Sequence, residues 1–239
     1  MMGVTHVTSG LLAALLAAPV LPPSTTPTAR VVWITAAAGA ALLPDLDTTA
    51  STAGRMWGPL SQLLARGIGA ISGGHRWGTH DLVLAPAGIW IAATAACASQ
   101  VGALLLVAVT SGLILAALGS VGLGRVGAFG NLAAAIAATW WHGRVLATDD
   151  LAILPSALAL GAIVHIAGDA MTSAKIPLPL LWLRRRRRIG IPLMSTGGQV
   201  EAWIVTPTLS VLTLWVLWTT ANGAVLTEHA STLLTGAAS

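Results

Sequence analysis

Seven apolar segments follow one another along this chain, at about His6–Leu21, Arg30–Pro44, Leu82–Ala98, Val101–Leu118, Gly127–Trp141, Leu151–Asp169 and Trp203–Ala221, and none carries Asp, Glu, Lys or Arg away from its two ends. Packed in water, such segments would need a charged surface to cover them. The chain has 12 Lys and Arg and 8 Asp and Glu among 239 residues, or 8%, where a soluble domain carries roughly a quarter. Five of those charges form one run, Arg184 to Arg188. Lipid accepts the apolar surface, and a helix satisfies its own backbone there. The sequence therefore predicts an all-α, polytopic membrane helix bundle of about seven short transmembrane helices.

Several segments are shorter than the roughly 20 residues that cross hydrocarbon upright. Their ends must borrow flanking residues, or they must lie inside the bundle, where protein replaces lipid as their solvent. Frequent Ala and Gly suit close helix packing in lipid, and Pro86, Pro155 and Pro207 lie in or near span starts, where membrane helices tolerate them. Residues 1–239 read as a single membrane domain, with longer loops at 48–81 and 170–202 and no polar stretch large enough for a second one. Within the first loop, Met56–Ile71 reads as an amphipathic helix lying at the interface. The single cysteine, Cys97, excludes an internal disulfide and a cysteine-based metal site. No Lys or Arg precedes Arg30, so the first apolar segment reads as a helix and not as a cleaved signal.

Charge orients the bundle. If the Arg run is cytoplasmic, counting back through seven spans puts the N-terminus, Arg55, Arg66, Arg76, Arg125 and Lys175 on the same side, and leaves Arg30 and Arg144 opposite. This predicts a multi-pass protein of the plasma membrane with a cytoplasmic N-terminus. The run itself reads as an anchor to anionic lipid headgroups, and nucleic acid is not expected as a partner despite the net charge of +4. Ten Trp with no Tyr and one Phe fit interfacial belts.

Ionisable side chains at membrane depth cost about 2.5–3.5 kcal/mol each on insertion scales, so those present need a reason. Here they gather at span ends on the predicted cytoplasmic side: His6; Asp45 and Asp47; His75, Arg76 and His80; His165 and Asp169; Glu201. His165 and Asp169 are four apart and share a helix face. Asp45 and Asp47 flank one residue after Pro44, and two such carboxylates repel unless a cation or a proton lies between them. Imidazole with carboxylate suits zinc, and also manganese or iron, as one ion or two. Plainer readings remain beside this one: His6 as an interface residue, Asp45 and Asp47 as a helix stop, His75 and Arg76 as headgroup contacts, His165 with Asp169 as a structural pair. His142, Asp149, Asp150, Glu228 and His229 fall on the opposite side and read as solvated loop and tail residues.

Taken in order, Thr5-His6-x-x-x-Gly10, Leu43-Pro44-Asp45-x-Asp47, Gly74-His75-Arg76-x-x-Thr79-His80, His165-x-x-x-Asp169 and Thr196-Gly197…Glu201 resemble the YdjM-like membrane-bound metal-dependent hydrolases, a family with a LexA-regulated bacterial inner-membrane member. The ligand pattern is also similar, more distantly, to the zinc phospholipase C and P1 nuclease group, which cleaves phosphoesters. That group uses His-x-x-x-Asp and His-x-x-x-Glu pairs with an N-terminal Trp; here one such pair is in evidence and the chain opens Met1-Met2, so a three-zinc site is not expected. The resemblance implies a hydrolase of a phosphoester, including a lipid phosphate, at the cytoplasmic face. His6, Asp45, Asp47, His80, His165 and Asp169 would hold the metal. His75 would serve as ligand or general acid, Arg76 would neutralise phosphoryl charge, and Glu201 would act as base, ligand or orienting partner. The alternatives are a divalent-cation transporter and a non-catalytic membrane protein that binds metal or lipid.

Overall fold

The computed structural model describes residues 1–22, 25–145, 148–180 and 187–220. Arg184 to Arg186, Trp182, Ala221, Glu228 and His229 lie outside the described residues. The helices are α1 (Gly3–Ala17), α2 (Pro27–Ala40), α3 (Thr52–Arg55), α4 (Pro59–Ile71), α5 (Leu84–Cys97), α6 (Gln100–Ala117), α7 (Gly124–Val145), α8 (Thr148–Leu151), α9 (Leu154–Ala170) and α10 (Glu201–Thr220). Each of the seven apolar segments corresponds to one of them. Four helical stretches, Gly3–Val20, Gln100–Ala117, Ser120–Arg144 and Glu201–Thr220, are long and apolar enough to cross a membrane, and α5 and α9 are shorter apolar helices.

Proline and small polar residues set the boundaries. Thr26 caps α2 by accepting a hydrogen bond from the Ala29 amide, with Pro27 in the first turn. The second segment ends early: Pro44 has no amide to continue the helix, so the chain leaves α2 at Ala40 and tightens into a 3-10 turn over Leu43–Asp47. The amphipathic segment starts three residues later than its apolar pattern, because Gly58 takes φ 59° and Pro59 opens α4. Leu60, Leu63, Leu64 and Ile71 of α4 are exposed, while Ser61 and Ala65 are buried.

At 14 residues α2 is about 21 Å long, against roughly 30 Å of hydrocarbon. It is solvated by protein. Val32, Trp33 and Ala36 to Ala40 are buried, and α1, α6 and α9 pack around it. Glycines allow the approach. A Cβ on Gly10 of α1 would meet Ala41 Cβ at 2.8 Å, one on Gly161 of α9 would meet the Ala37 carbonyl oxygen at 2.4 Å, and one on Gly39 of α2 would meet the Thr110 carbonyl oxygen of α6 at 2.4 Å. His6 lies one helical turn before Gly10 and His165 one turn after Gly161, each on the same face as its glycine. Close packing against α2 thus delivers both imidazoles to the point where α2 ends.

The loops sort to two ends of the bundle. At one end, Arg30 donates to the carbonyls of Ala18, Pro22 and Thr25, Thr26 donates to Asp150, and Cys97 approaches the Leu151 carbonyl. At the other lie the start of α1, the turn after α2, the start of α5, the end of α9 and the start of α10. After α9 the chain is ordered by pairing that no pattern in the sequence announces. It forms a two-residue antiparallel ladder, β1 (Ile176–Pro177) with β2 (Arg188–Ile189), and Ile191 and Leu193 donate back to the carbonyls of Ala170 and Met171. That ladder pins the end of α9.

Candidate metal centre

Asp47 organises the loop before α5. Gly73 and Gly74 take φ 80° and 102°, and Arg76 takes φ 62°, a left-handed conformation that costs a non-glycine residue about 1–2 kcal/mol. The turn wraps three donors around one carboxylate. His75 Nδ1 is 2.6 Å from Asp47 Oδ1, and the Arg76 amide and the Thr79 hydroxyl donate to Oδ2 at 3.0 and 2.5 Å. The same turn sends the Arg76 side chain inward, where Nη2 is 2.9 Å from Asp169 Oδ2, and leaves the His75 side chain 42% exposed.

Thr79 carries the order on to His80. Its hydroxyl donates to Asp47, so its oxygen accepts from His80 Nδ1 at 3.0 Å. His165 Nδ1 is likewise held, 2.7 Å from the Ala41 carbonyl at the end of α2. Each partner is an acceptor, which assigns a proton to Nδ1 in both rings and turns each Nε2 toward the carboxylates. Those two nitrogens face each other at 3.2 Å. His80 Nε2 is also 3.6 Å from Asp45 Oδ1 and 3.5 Å from Asp169 Oδ2, and His165 Nε2 is 3.7 and 3.8 Å from the same atoms. The third imidazole, His6, stacks on His165 with centroids 3.7 Å apart, and its Nε2 lies 3.4 Å from Asp169 Oδ1. His6, His80, His165 and Asp169 are fully buried, and Asp45 is 17% exposed at the side chain.

The donor set fits a divalent cation. Ligands arranged tetrahedrally at about 2.0–2.2 Å from one ion stand roughly 3.3–3.6 Å apart, close to the 3.2–3.8 Å found among His80, His165 and the two carboxylates. Two imidazole nitrogens facing at that separation need a proton or a cation between them. Neither ring nitrogen of the buried His6 has a hydrogen-bond partner among the described residues, a cost that a ligand bond to a cation removes. Three overlapping groups have ligand atoms within 4.8 Å of one another: His6, His165 and Asp169; Asp45, His80 and His165; Asp45, Asp47 and His75.

Charge agrees with this geometry. Burial by itself raises the Asp45 carboxyl, but the imidazoles of His165, His80 and His6 outweigh burial and hold it well below the usual carboxylate range. Asp47 is lowered in the same way, burial being overcome by hydrogen bonds from His75, His80 and Thr79. Burial also pushes the His80 imidazole down, and Asp45 and Asp47 more than reverse it, leaving its pKa raised. Ionised carboxylates enclosed among imidazoles favour a positive charge in their midst.

The other singled-out residue sits apart from these groups. Glu201 is fully buried, and its two oxygens accept from the amides of Met2 and Gly197 at 2.5 and 2.7 Å. It ties the start of α10 to the start of α1 and to the Thr196-Gly197 turn, and so fixes the helix that carries His6. Three contributors have no role assigned from the sequence. Thr79 was visible beside His80, as a hydroxyl next to a candidate ligand. The Ala41 carbonyl had no sequence signal. Asp81 is fully buried; its Oδ1 accepts from the amides of Val83 and Leu84 at the start of α5, and its Oδ2 from that of Leu180. The run of basic residues meets the site's end through Arg188, whose guanidinium lies 4.9 Å above the Trp77 ring.

An apolar helical bundle with a buried imidazole–carboxylate cluster at one end defines a helical membrane protein with candidate donors for a metal ion. The chain belongs to the YdjM inner membrane protein family, whose family model matches residues 1–238. No curated protein and no solved structure matches it. The more distant likeness to the zinc phospholipase C and P1 nuclease group rests on the motif pattern alone.

Proposed function

We propose that the chain is a multi-pass, membrane-bound, metal-dependent hydrolase that cleaves a phosphoester at the cytoplasmic face of the inner membrane, its N-terminus on that side. The observation that carries this reading is the pair of Nε2 atoms, 3.2 Å apart with their Nδ1 partners fixed, set between the carboxylates of Asp45 and Asp169. His6, Asp45, His80, His165 and Asp169 would hold one ion of zinc, manganese or iron, and Asp47 with His75 would hold a second or orient the first. A divalent cation supplies Lewis acidity, which polarises a phosphoryl oxygen and lowers the pKa of water toward about 7.

The remaining chemistry belongs to the chain. Asp47 and Thr79 orient His80, and the Ala41 carbonyl orients His165, so that neither imidazole must reorganise on binding. Asp47 fixes His75 through Nδ1 and leaves Nε2 on the half-exposed side, where its protonated form can give a proton to a leaving oxygen. Arg76 turns one guanidinium edge to Asp169, and its Nε has no hydrogen-bond partner among the described residues, a donor left for a phosphoryl oxygen.

A transporter of divalent cations would need ionisable side chains along a path through the bundle. Among the described residues, the buried acidic and imidazole side chains are His6, Asp47, His80, Asp81, His165, Asp169 and Glu201, all at one end, which favours a site over a path. The test is turnover by the purified protein, loaded with zinc or manganese, across phosphomonoesters and phosphodiesters. Hydrolysis that is lost with Asp45→Ala supports the reading. Metal-loaded protein inert on the whole panel leaves a metal-binding membrane protein without this activity.

A further inference from the structure

A cavity of about 540 Å³ opens between α4 and α5, against the turn that follows α2. Its size is that of a small-molecule site, and its walls are almost wholly apolar: Leu46, Ile68, Leu84 and Ile89 among them. Pro44 and Leu46, on either side of Asp45, line it. So does Thr79, whose hydroxyl bridges Asp47 and His80. The cavity thus adjoins the candidate metal centre across the wall that Pro44, Leu46 and Thr79 form. Its outer rim is apolar and exposed, with Ile71 86% accessible at the end of α4 and Leu84 43% accessible at the start of α5. Gly88 of α5 is exposed in its lining, and a Cβ there would meet nothing within 4 Å.

We propose that this cleft is the lateral entrance for a phospholipid substrate, which lays an acyl chain between α4 and α5 and so brings its phosphate to the centre bounded by Asp45, Asp47 and His80. The inference rests on the hydrolase reading for the fate of the phosphate, but not for the seating of the chain. An apolar cleft that opens sideways in a membrane protein is reached by lipid before any water-soluble ester. The polar side chains in its lining are Thr79, next to the centre, and Ser72, after α4, and beyond Thr79 the Arg76 side chain pairs with Asp169. An amphiphile with one charged phosphate end and one apolar tail matches that distribution; a free sugar or nucleotide phosphate would leave the cleft unused.

The experiment compares the wild-type chain with Gly88→Leu, which fills the cleft from a position with free space, and with Gly130→Leu on α7, where a Cβ likewise meets nothing within 4 Å but which lies outside the cleft. In liposomes containing phosphatidate with a photoactivatable acyl chain, cross-links should concentrate on residues 43–46, 68–72 and 84–92. Gly88→Leu should reduce them by about tenfold and Gly130→Leu should leave them unchanged. In zinc-loaded detergent micelles, a series from dihexanoyl to dioleoyl phosphatidate should show kcat/KM rising with chain length by about tenfold or more, a gain that Gly88→Leu abolishes with its metal content unchanged and that Gly130→Leu retains. Cross-links spread evenly over the lipid-facing helices, or equal effects of the two variants, would overturn the proposal. Focused cross-links with no turnover on any chain length would uphold the cleft and overturn the hydrolase reading on which the second arm rests.

Discussion

Gly161→Ala probes the link between helix packing and the site. The added methyl would lie 2.4 Å from the Ala37 carbonyl oxygen, 2.7 Å from Ala40 Cβ and 2.7 Å from the Ala41 amide, where ordinary contact begins at 3.4 Å. The obstacles on α2 are backbone and a methyl, which cannot swing away, so α9 must withdraw by about 1 Å. His165 lies one turn further along the same face. A shift of that size stretches its 2.7 Å hydrogen bond to Ala41 past the limit for such a bond and draws Nε2 away from His80. Overpacking of this kind costs about 1–3 kcal/mol of stability, and loosening a ligand's orienting partner typically costs about 10–100-fold in metal affinity. Zinc affinity measured by chelator competition, with thermal unfolding in the same detergent, reads both. Gly130→Ala, in open space, should change neither. A Gly161→Ala protein that binds zinc as tightly as wild type would refute the idea that the glycine contact positions the imidazole.

Three further substitutions separate ligands from their supports. Thr79→Val keeps the shape of the side chain but removes the hydroxyl that bridges Asp47 and His80, and zinc affinity should fall by about 10–100-fold by chelator competition, with helicity by circular dichroism unchanged. Asp81→Ala removes acceptors for the amides of Val83, Leu84 and Leu180, so thermal unfolding should show a loss of about 1–2 kcal/mol while metal stoichiometry is retained. Glu201→Ala frees the amides of Met2 and Gly197 and should loosen α1, with faster hydrogen exchange at its first turn and weaker metal binding through His6.

The seven helices were legible because lipid imposes a simple demand: long apolar runs interrupted only where the chain turns. Their ends were less so. Pro44 marked the stop that ends α2 at Ala40, but that α2 is sheltered by its neighbours follows from Gly10, Gly39 and Gly161, whose partners are distant in sequence. Candidate ligands stood out by rarity, since an imidazole or carboxylate in so apolar a chain needs a partner. Their supports did not stand out. The Ala41 carbonyl looks like any other in the sequence, and Asp47 reads as the twin of Asp45 until Arg76 takes its left-handed turn and wraps the loop around it. Glu201 was noticed for its charge, but its engagement with two amides depends on how the start of α1 meets α10.

X-ray absorption on the purified, zinc-equilibrated protein tests the central claim most directly. The account predicts at least one bound zinc with imidazole nitrogen and carboxylate oxygen at about 2.0–2.2 Å, lost in both Asp45→Ala and His165→Ala while each variant stays folded in the membrane. Wild-type protein that takes up no divalent cation, or that holds it undiminished after both substitutions, would contradict it.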